Sequence, residues 1–159
     1  MKNMVPSLKA GWIVLIILLG SCTGKTIYHE NVDFPKGYWS STDTLHFKVL
    51  VSDTLSPCNI TLLMRNKGTY PFSNLYIVVT TQSPSGATLT DTLEFILASP
   101  RGEWLGKGFG DIWQNERRYK TAIRFPNTGI YSFSVRQIMR PDQLPGVMDF
   151  GLRIDRSTH

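Results

Sequence analysis

Several residues in this sequence have types that perform chemistry elsewhere, and their spacing decides what each can do here. Gly24-Lys25-Thr26 has the ending of a phosphate-cradling loop, in which backbone N–H groups surround the phosphates and the lysine reaches them. That loop needs four residues between its first glycine and the Gly-Lys-Thr, and Gly20 leaves three. No strand pattern precedes it and no helix pattern follows, so no nucleotide is expected. Glu94, Glu103, Asp111 and Glu116 are the acids from which a general acid and base would be drawn, but nothing in their spacing sets two of them face to face. His29, His46 and His159 are far apart and fit no HxH, HExxH or Cys/His ligand spacing, so no metal is expected. Cys58 lies between Ser56-Pro57 and an apolar-alternating segment with no histidine near it, the setting of a small buried hydrophobe rather than a nucleophile. No catalytic residue and no cofactor emerge.

The residues that remain suggestive are at the start of the chain. Lys2 and Lys9 precede Trp12 to Leu19, an eight-residue apolar run that stops at Gly20-Ser21-Cys22. A spanning helix needs about 20 apolar residues, so this run is too short for one. A positive region, a short apolar region and small residues at a cut site are the order of an export signal. Leu19-Gly20-Ser21-Cys22 also resembles the lipobox of bacterial lipoproteins, in which the cysteine becomes the first residue of the mature chain. The thiol is then alkylated by a diacylglyceryl group and the new amino terminus acylated, with palmitate for example, and several acyl chains hold a protein to a bilayer far more firmly than one. This removes the only partner with which Cys58 could form a disulfide. Loss of residues 1–21 takes two basic residues and no acid, leaving 15 basic against 12 acidic residues, a net charge of +3. The remaining basic residues are scattered apart from Arg117-Arg118, which gives no reason to expect nucleic acid.

The most unusual run in the mature chain is Gly102 to Trp113, with glycines at 106, 108 and 110 among Trp104, Phe109 and Trp113. Its glycines have the density of a nucleotide loop without the strand and helix that such a loop joins. Two readings stay open: a bulged connection whose aromatics cap one end of the fold, or a loop that anchors a partner through its rings. Trp104, Lys107, Phe109, Asp111 and Trp113 are the candidate partner surface. A glycan- or peptide-binding platform of Trp104, Phe109 and Trp113 is the alternative. Arg136, Arg140 and Arg153 are read as ordinary sheet-face ion-pair partners.

The elements that must position these residues have a period of two. Leu45, Phe47, Val49 and Val51 alternate with His46, Lys48 and Leu50, and Ile60, Leu62 and Met64 alternate with Thr61, Leu63 and Arg65. Residues 74–81 and 88–97 flank Ser83-Pro84-Ser85-Gly86 as a hairpin. Residues 119–125 and 130–138 flank Pro126-Asn127-Thr128-Gly129, a four-residue turn, and 147–154 supplies the last strand. No segment has a capped helical period, though 110–115 or 141–144 has room for one turn of helix. Seven or eight short strands predict an all-β antiparallel sandwich of immunoglobulin-like or jelly-roll type. The expected organisation is a cleaved signal over 1–21, an anchor, tether and extended aromatic-bearing arm over 22–40, and a single sandwich domain over 41–159.

Tyr70-Pro71-Phe72-Ser73-Asn74-Leu75, Asp91-Thr92-Leu93-Glu94 with Leu97-Ala98, and Gly102-Glu103-Trp104-Leu105-Gly106 through Gly108, Gly110 and Asp111 form an ordered set. Phe125-Pro126 with Gly129-Ile130-Tyr131, Gln137 to Arg140 with Leu144-Pro145-Gly146, and Asp149 to Ile154 continue it. Together they resemble the gliding-motility lipoprotein GldH family. The resemblance implies a lipoprotein of the Bacteroidota cell envelope that works with other envelope proteins of the gliding and type IX secretion machinery, and it brings no catalytic residue. Members also occur in species that do not glide. No acid precedes Glu30 after Cys22, which favours retention facing the periplasm; by a sorting rule of other bacteria, the lack of an aspartate directly after Cys22 favours the outer membrane.

Overall fold

The computed structural model describes residues 26–157. Signal, lipobox (Leu19, Gly20, Ser21) and Cys22 lie outside these residues, as does His159. The described chain forms eleven strands and no helix: β1 (Thr26–Asp33), β2 (Tyr38–Ser40), β3 (Leu45–Val51), β4 (Cys58–Lys67), β5 (Asn74–Gln82), β6 (Thr88–Ile96), β7 (Lys107–Phe109), β8 (Ile112–Ile123), β9 (Gly129–Gln137), β10 (Gln143–Pro145) and β11 (Val147–Arg156). A five-stranded sheet runs β1-β11-β4-β8-β7, a four-stranded sheet runs β3-β9-β5-β6, and β10 pairs with β2. All pairings are antiparallel. The all-β sandwich expected from the period of two is therefore present, with eight long strands and three of three residues.

The alternation is what builds it. Along β3 every odd residue, from Leu45 to Val51, is buried and every even one exposed. Leu62, Met64, Leu75, Ile77, Val79, Phe133, Val135, Phe150 and Leu152 fill the space between the sheets and are essentially without solvent contact. The residues expected as a hairpin pair as β5 and β6, from Asn74 opposite Ile96 to Gln82 opposite Thr88. The turn after Phe125 carries the chain from β8 in one sheet to β9 in the other.

The two segments with room for a helical turn are turn or bend leading into strand instead. Residues 110–115 are the turn and first rungs of the β7–β8 hairpin, because Gly110, at φ +62°, reverses the chain at once. Residues 141–144 lead into β10, where Leu144 faces Trp39 and is fully buried. The aromatics of the arm are built into the fold. Residues 26–33 pair with β11 along one edge. Trp39 is fully buried, stacked on Phe34 at 5.2 Å and tilted against Phe150 at 5.3 Å.

The sandwich has two poles. At one, β1 begins at Thr26 opposite Asp155, and the 52–57, 83–87 and 124–128 connections meet the ends of β4, β8 and β11. At the other lie the 34–44, 68–73 and 97–106 connections and the β7–β8 turn.

Candidate functional site

The 102–113 run is a short hairpin at the second pole, made by β7 and the start of β8. Phe109 pairs with Ile112, which leaves Gly110-Asp111 as a two-residue turn. Glycine with positive φ at the first turn position is the arrangement whose twist matches the flanking strands. The Asp111 carbonyl accepts a hydrogen bond from the Gly68 N–H at 2.8 Å, tying the turn to the body. A Cβ at Gly68 would collide with the Asp111 carboxylate.

Under the hairpin runs a row of rings. Trp104 and Trp113 stack at 6.4 Å with 30° between their planes, and Trp104 also meets Tyr70 at 6.4 Å. Tyr70 packs edge-on to Phe72 at 5.9 Å and donates its hydroxyl hydrogen to the Asn74 carbonyl at 2.9 Å. Burial pushes the Tyr70 hydroxyl well above its usual range, so it stays a donor. Gly108 lies on the Trp113 ring; a Cβ there would stand 2.7 Å from a ring carbon. Trp104 and Trp113 are thus half-buried and face each other, with little ring surface left for a sugar. Phe109 is different: 89% of it is exposed at the tip, with Lys107 and Asp111 exposed beside it.

The four acids are not brought together as a pair; among the described residues no hydrogen bond links any two of them. Glu94 accepts from the Asn74 amide at 2.7 Å, and Glu103 is tied to Ser99. Glu116 accepts from Arg153 at 3.0 Å, which holds its carboxyl below the usual range. His46 bonds Ser134, His29 is exposed on β1, and no cluster of three or more His, Cys, Asp or Glu with metal-binding geometry occurs among the described residues. Cys58 is 2% exposed, and burial pushes its thiol up, away from the reactive thiolate. Of the arginines on the last strands, Arg153 joins Glu116 and Asp155 on the sheet face.

One feature of this region had no signal in the sequence. Because β7 has only three residues, β8 beyond Gln114 has no strand on its outer edge. A groove of about 320 Å³ opens there, with exposed Ile96 and Leu105 on one side and Lys107, Glu116 and Arg117 on the other. The Nε of Arg117 is buried with no acceptor among the described residues. Only the length of β7 reveals this edge, and β7 is too short to show a period.

Residues 26–154, nearly all of the described fold, match the family model for the GldH lipoprotein. The chain belongs to the GldH lipoprotein family. It is 33% identical to the gliding motility lipoprotein GldH homolog of Christiangramia forsetii over 153 residues, covering 92% of this chain and 93% of that one. It is 32% identical to gliding motility lipoprotein GldH of Flavobacterium johnsoniae over 151 residues, covering 91% and 93%. Among solved structures, the VP2 subviral particle of infectious bursal disease virus overlays at a TM-score of 0.34 and 13% identity, over 80% of this chain and 30% of the viral one. A family 35 carbohydrate binding module from Clostridium thermocellum overlays at 0.32 and 13%, over 77% and 97%. Likenesses that loose bear on neither the fold nor the function of a GldH protein.

Proposed function

We propose that this chain is a lipid-anchored, non-enzymatic envelope protein that supports the gliding and type IX secretion machinery by protein–protein contact. Cys22 carries the lipid after removal of residues 1–21, and the domain faces the periplasm from the outer membrane. The observation that carries the contact is Phe109. A phenylalanine left 89% exposed on a hairpin braced by stacked tryptophans is an apolar anchor held ready for a partner's pocket. Lys107 and Asp111 beside it give the polar rim, and Trp104 and Trp113 hold the hairpin rather than touch the partner. The packing of Trp104 and Trp113 on each other, on Tyr70 and on Gly108 also argues against the glycan platform, whose rings would have to be free. Kinship over more than nine-tenths of both chains with proteins named for gliding motility supplies the setting.

The test is complementation of a Flavobacterium johnsoniae strain lacking its own relative. The wild-type chain is expected to restore spreading and surface delivery of secreted cargo. Cys22→Ala is expected to lose acyl labelling and complementation together. Phe109→Asp is expected to keep its melting temperature and acylation and to lose complementation at least tenfold. Full activity of Phe109→Asp would overturn the assignment of the contact, and full activity of Cys22→Ala would overturn the anchor.

A further inference from the structure

The pole opposite the hairpin carries a second exposed apolar side chain that the fold works to hold outward. Leu55, in the β3–β4 connection, is 82% exposed. Around it the loop is fastened rather than slack. The Asp53 carboxylate accepts from the Leu55 and Ser56 N–H groups at 2.9 and 3.0 Å, and these bonds hold its pKa down to about 2. Arg124 donates its Nε–H to the Leu55 carbonyl at 2.8 Å. Ser157 bonds the Pro57 carbonyl at 2.8 Å. Two charged side chains thus fix a leucine in water with nothing to pack against.

Its surroundings have one character. Leu50 and Ile130, 71% and 56% exposed, are cross-strand partners one rung above the ends of β3 and β9 at the same pole. Ile27, at 43%, stands at the start of β1. Arg118 and Arg153 line a hollow with Thr26 and Asp155, Arg156 lies 3.8 Å from Asp53, and Arg124 holds the Leu55 carbonyl; with Glu116 on Arg153, four arginines meet three acids at this end. Exposed aliphatic side chains among arginines are the composition of a surface that sits at the level of lipid head groups.

Chain length decides the occupant. Four residue steps separate Cys22 from Thr26, where β1 is already paired with β11. A fully extended chain spans at most about 3.3–3.6 Å per residue, so Thr26 lies within about 14 Å of the lipidated cysteine. We infer that the Thr26 pole rests on the bilayer, with Leu55 entering the head-group region and Arg124 and Arg156 meeting anionic head groups. The inference relies on the lipidation of Cys22 proposed above. A flexible lipoprotein leader would let the domain turn freely; here the same end of the sandwich is presented to the membrane at all times, and electrostatic attraction is added to the acyl anchor.

The experiment uses the acylated full-length mature protein in vesicles of phosphatidylethanolamine and phosphatidylglycerol, with an environment-sensitive fluorophore on Leu55→Cys or, separately, on Phe109→Cys. Cys58 is buried and leaves the introduced thiol as the labelling site. Nitroxide lipids labelled near the head group are expected to quench the probe at 55 at least twofold more than the probe at 109. Adding Arg124→Glu is expected to reduce the quenching at 55 by half or more on these vesicles. Equal quenching at both positions, in protein that floats with the vesicles and carries its acyl chains by mass, would overturn the membrane-facing pole and leave the anchor standing. Protein that neither floats nor carries acyl mass would instead overturn the anchor, and the pole assignment with it.

Discussion

Asp149 is 1% exposed and meets Arg65 at 2.5 Å, yet its carboxyl is pushed above the usual range. Burial is the larger influence; Arg65 pulls the other way and Asp33 adds to the rise. A carboxyl whose proton is held more tightly folded than unfolded favours the fold below its unfolded pKa and loses that contribution as pH rises through the folded pKa. Arg65→Met removes the only guanidinium partner Asp149 has among the described residues. The expected cost at pH 7 is about 2 kcal/mol, below the ~3–5 kcal/mol of a fully enclosed pair, because 43% of the Arg65 side chain faces screening solvent. The difference from wild type should shrink towards pH 3 in urea titrations; a pH-independent difference would show that the ion pair is not its source. No pattern in the sequence points to this pair, because its members are 84 positions apart and become neighbours only through the β4–β11 register. The buried amide pair Asn66 and Asn115, bonded at 2.8 Å, was hidden for the same reason.

Elements were legible where one face is buried and the other wet. β3, β5 and β9 alternate in burial and follow their apolar periods within a residue or two, because burying one face fixes the register of a strand; β6, mostly exposed, and β11, largely buried on both faces, show through their composition and the turns that bound them. β8 shows an apolar period only from Tyr119, because its first half, Trp113-Gln114-Asn115-Glu116-Arg117, turns polar residues inward and breaks the alternation. β1 escaped because an edge strand with six of eight residues exposed has little apolar period to show. What ties this edge to the body is the next segment, through Trp39. Its indole stacks on Phe34, lies tilted against Phe150 and donates to the Asp43 carbonyl at 3.1 Å. Trp39→Ala is expected to cost about 3–5 kcal/mol and to lower the melting temperature by about 10 °C or more. Amide exchange should rise first across 26–45, and a loss spread evenly over all strands would show that the arm and the sandwich unfold as one unit.

At the scale of the molecule the two exposed anchors, Leu55 and Phe109, lie at opposite poles. β4 alone spans ten residues between them, about 30 Å at the usual rise of a strand. With the Thr26 pole on the bilayer, the hairpin stands at a fixed height of roughly that distance, and a partner must offer its pocket there. Height and orientation then matter as much as the side chain itself. A photoreactive residue at 109 is expected to crosslink to protein in intact cells, and one at 55 to lipid. Inserting about 20 Gly/Ser residues between Thr23 and Gly24 frees the domain to wander over some 25 Å and is expected to scatter or abolish the crosslink at 109, with folding and acylation unchanged. An undiminished crosslink at 109 in that variant would mean that the partner itself, and not the short tether, sets where the hairpin stands.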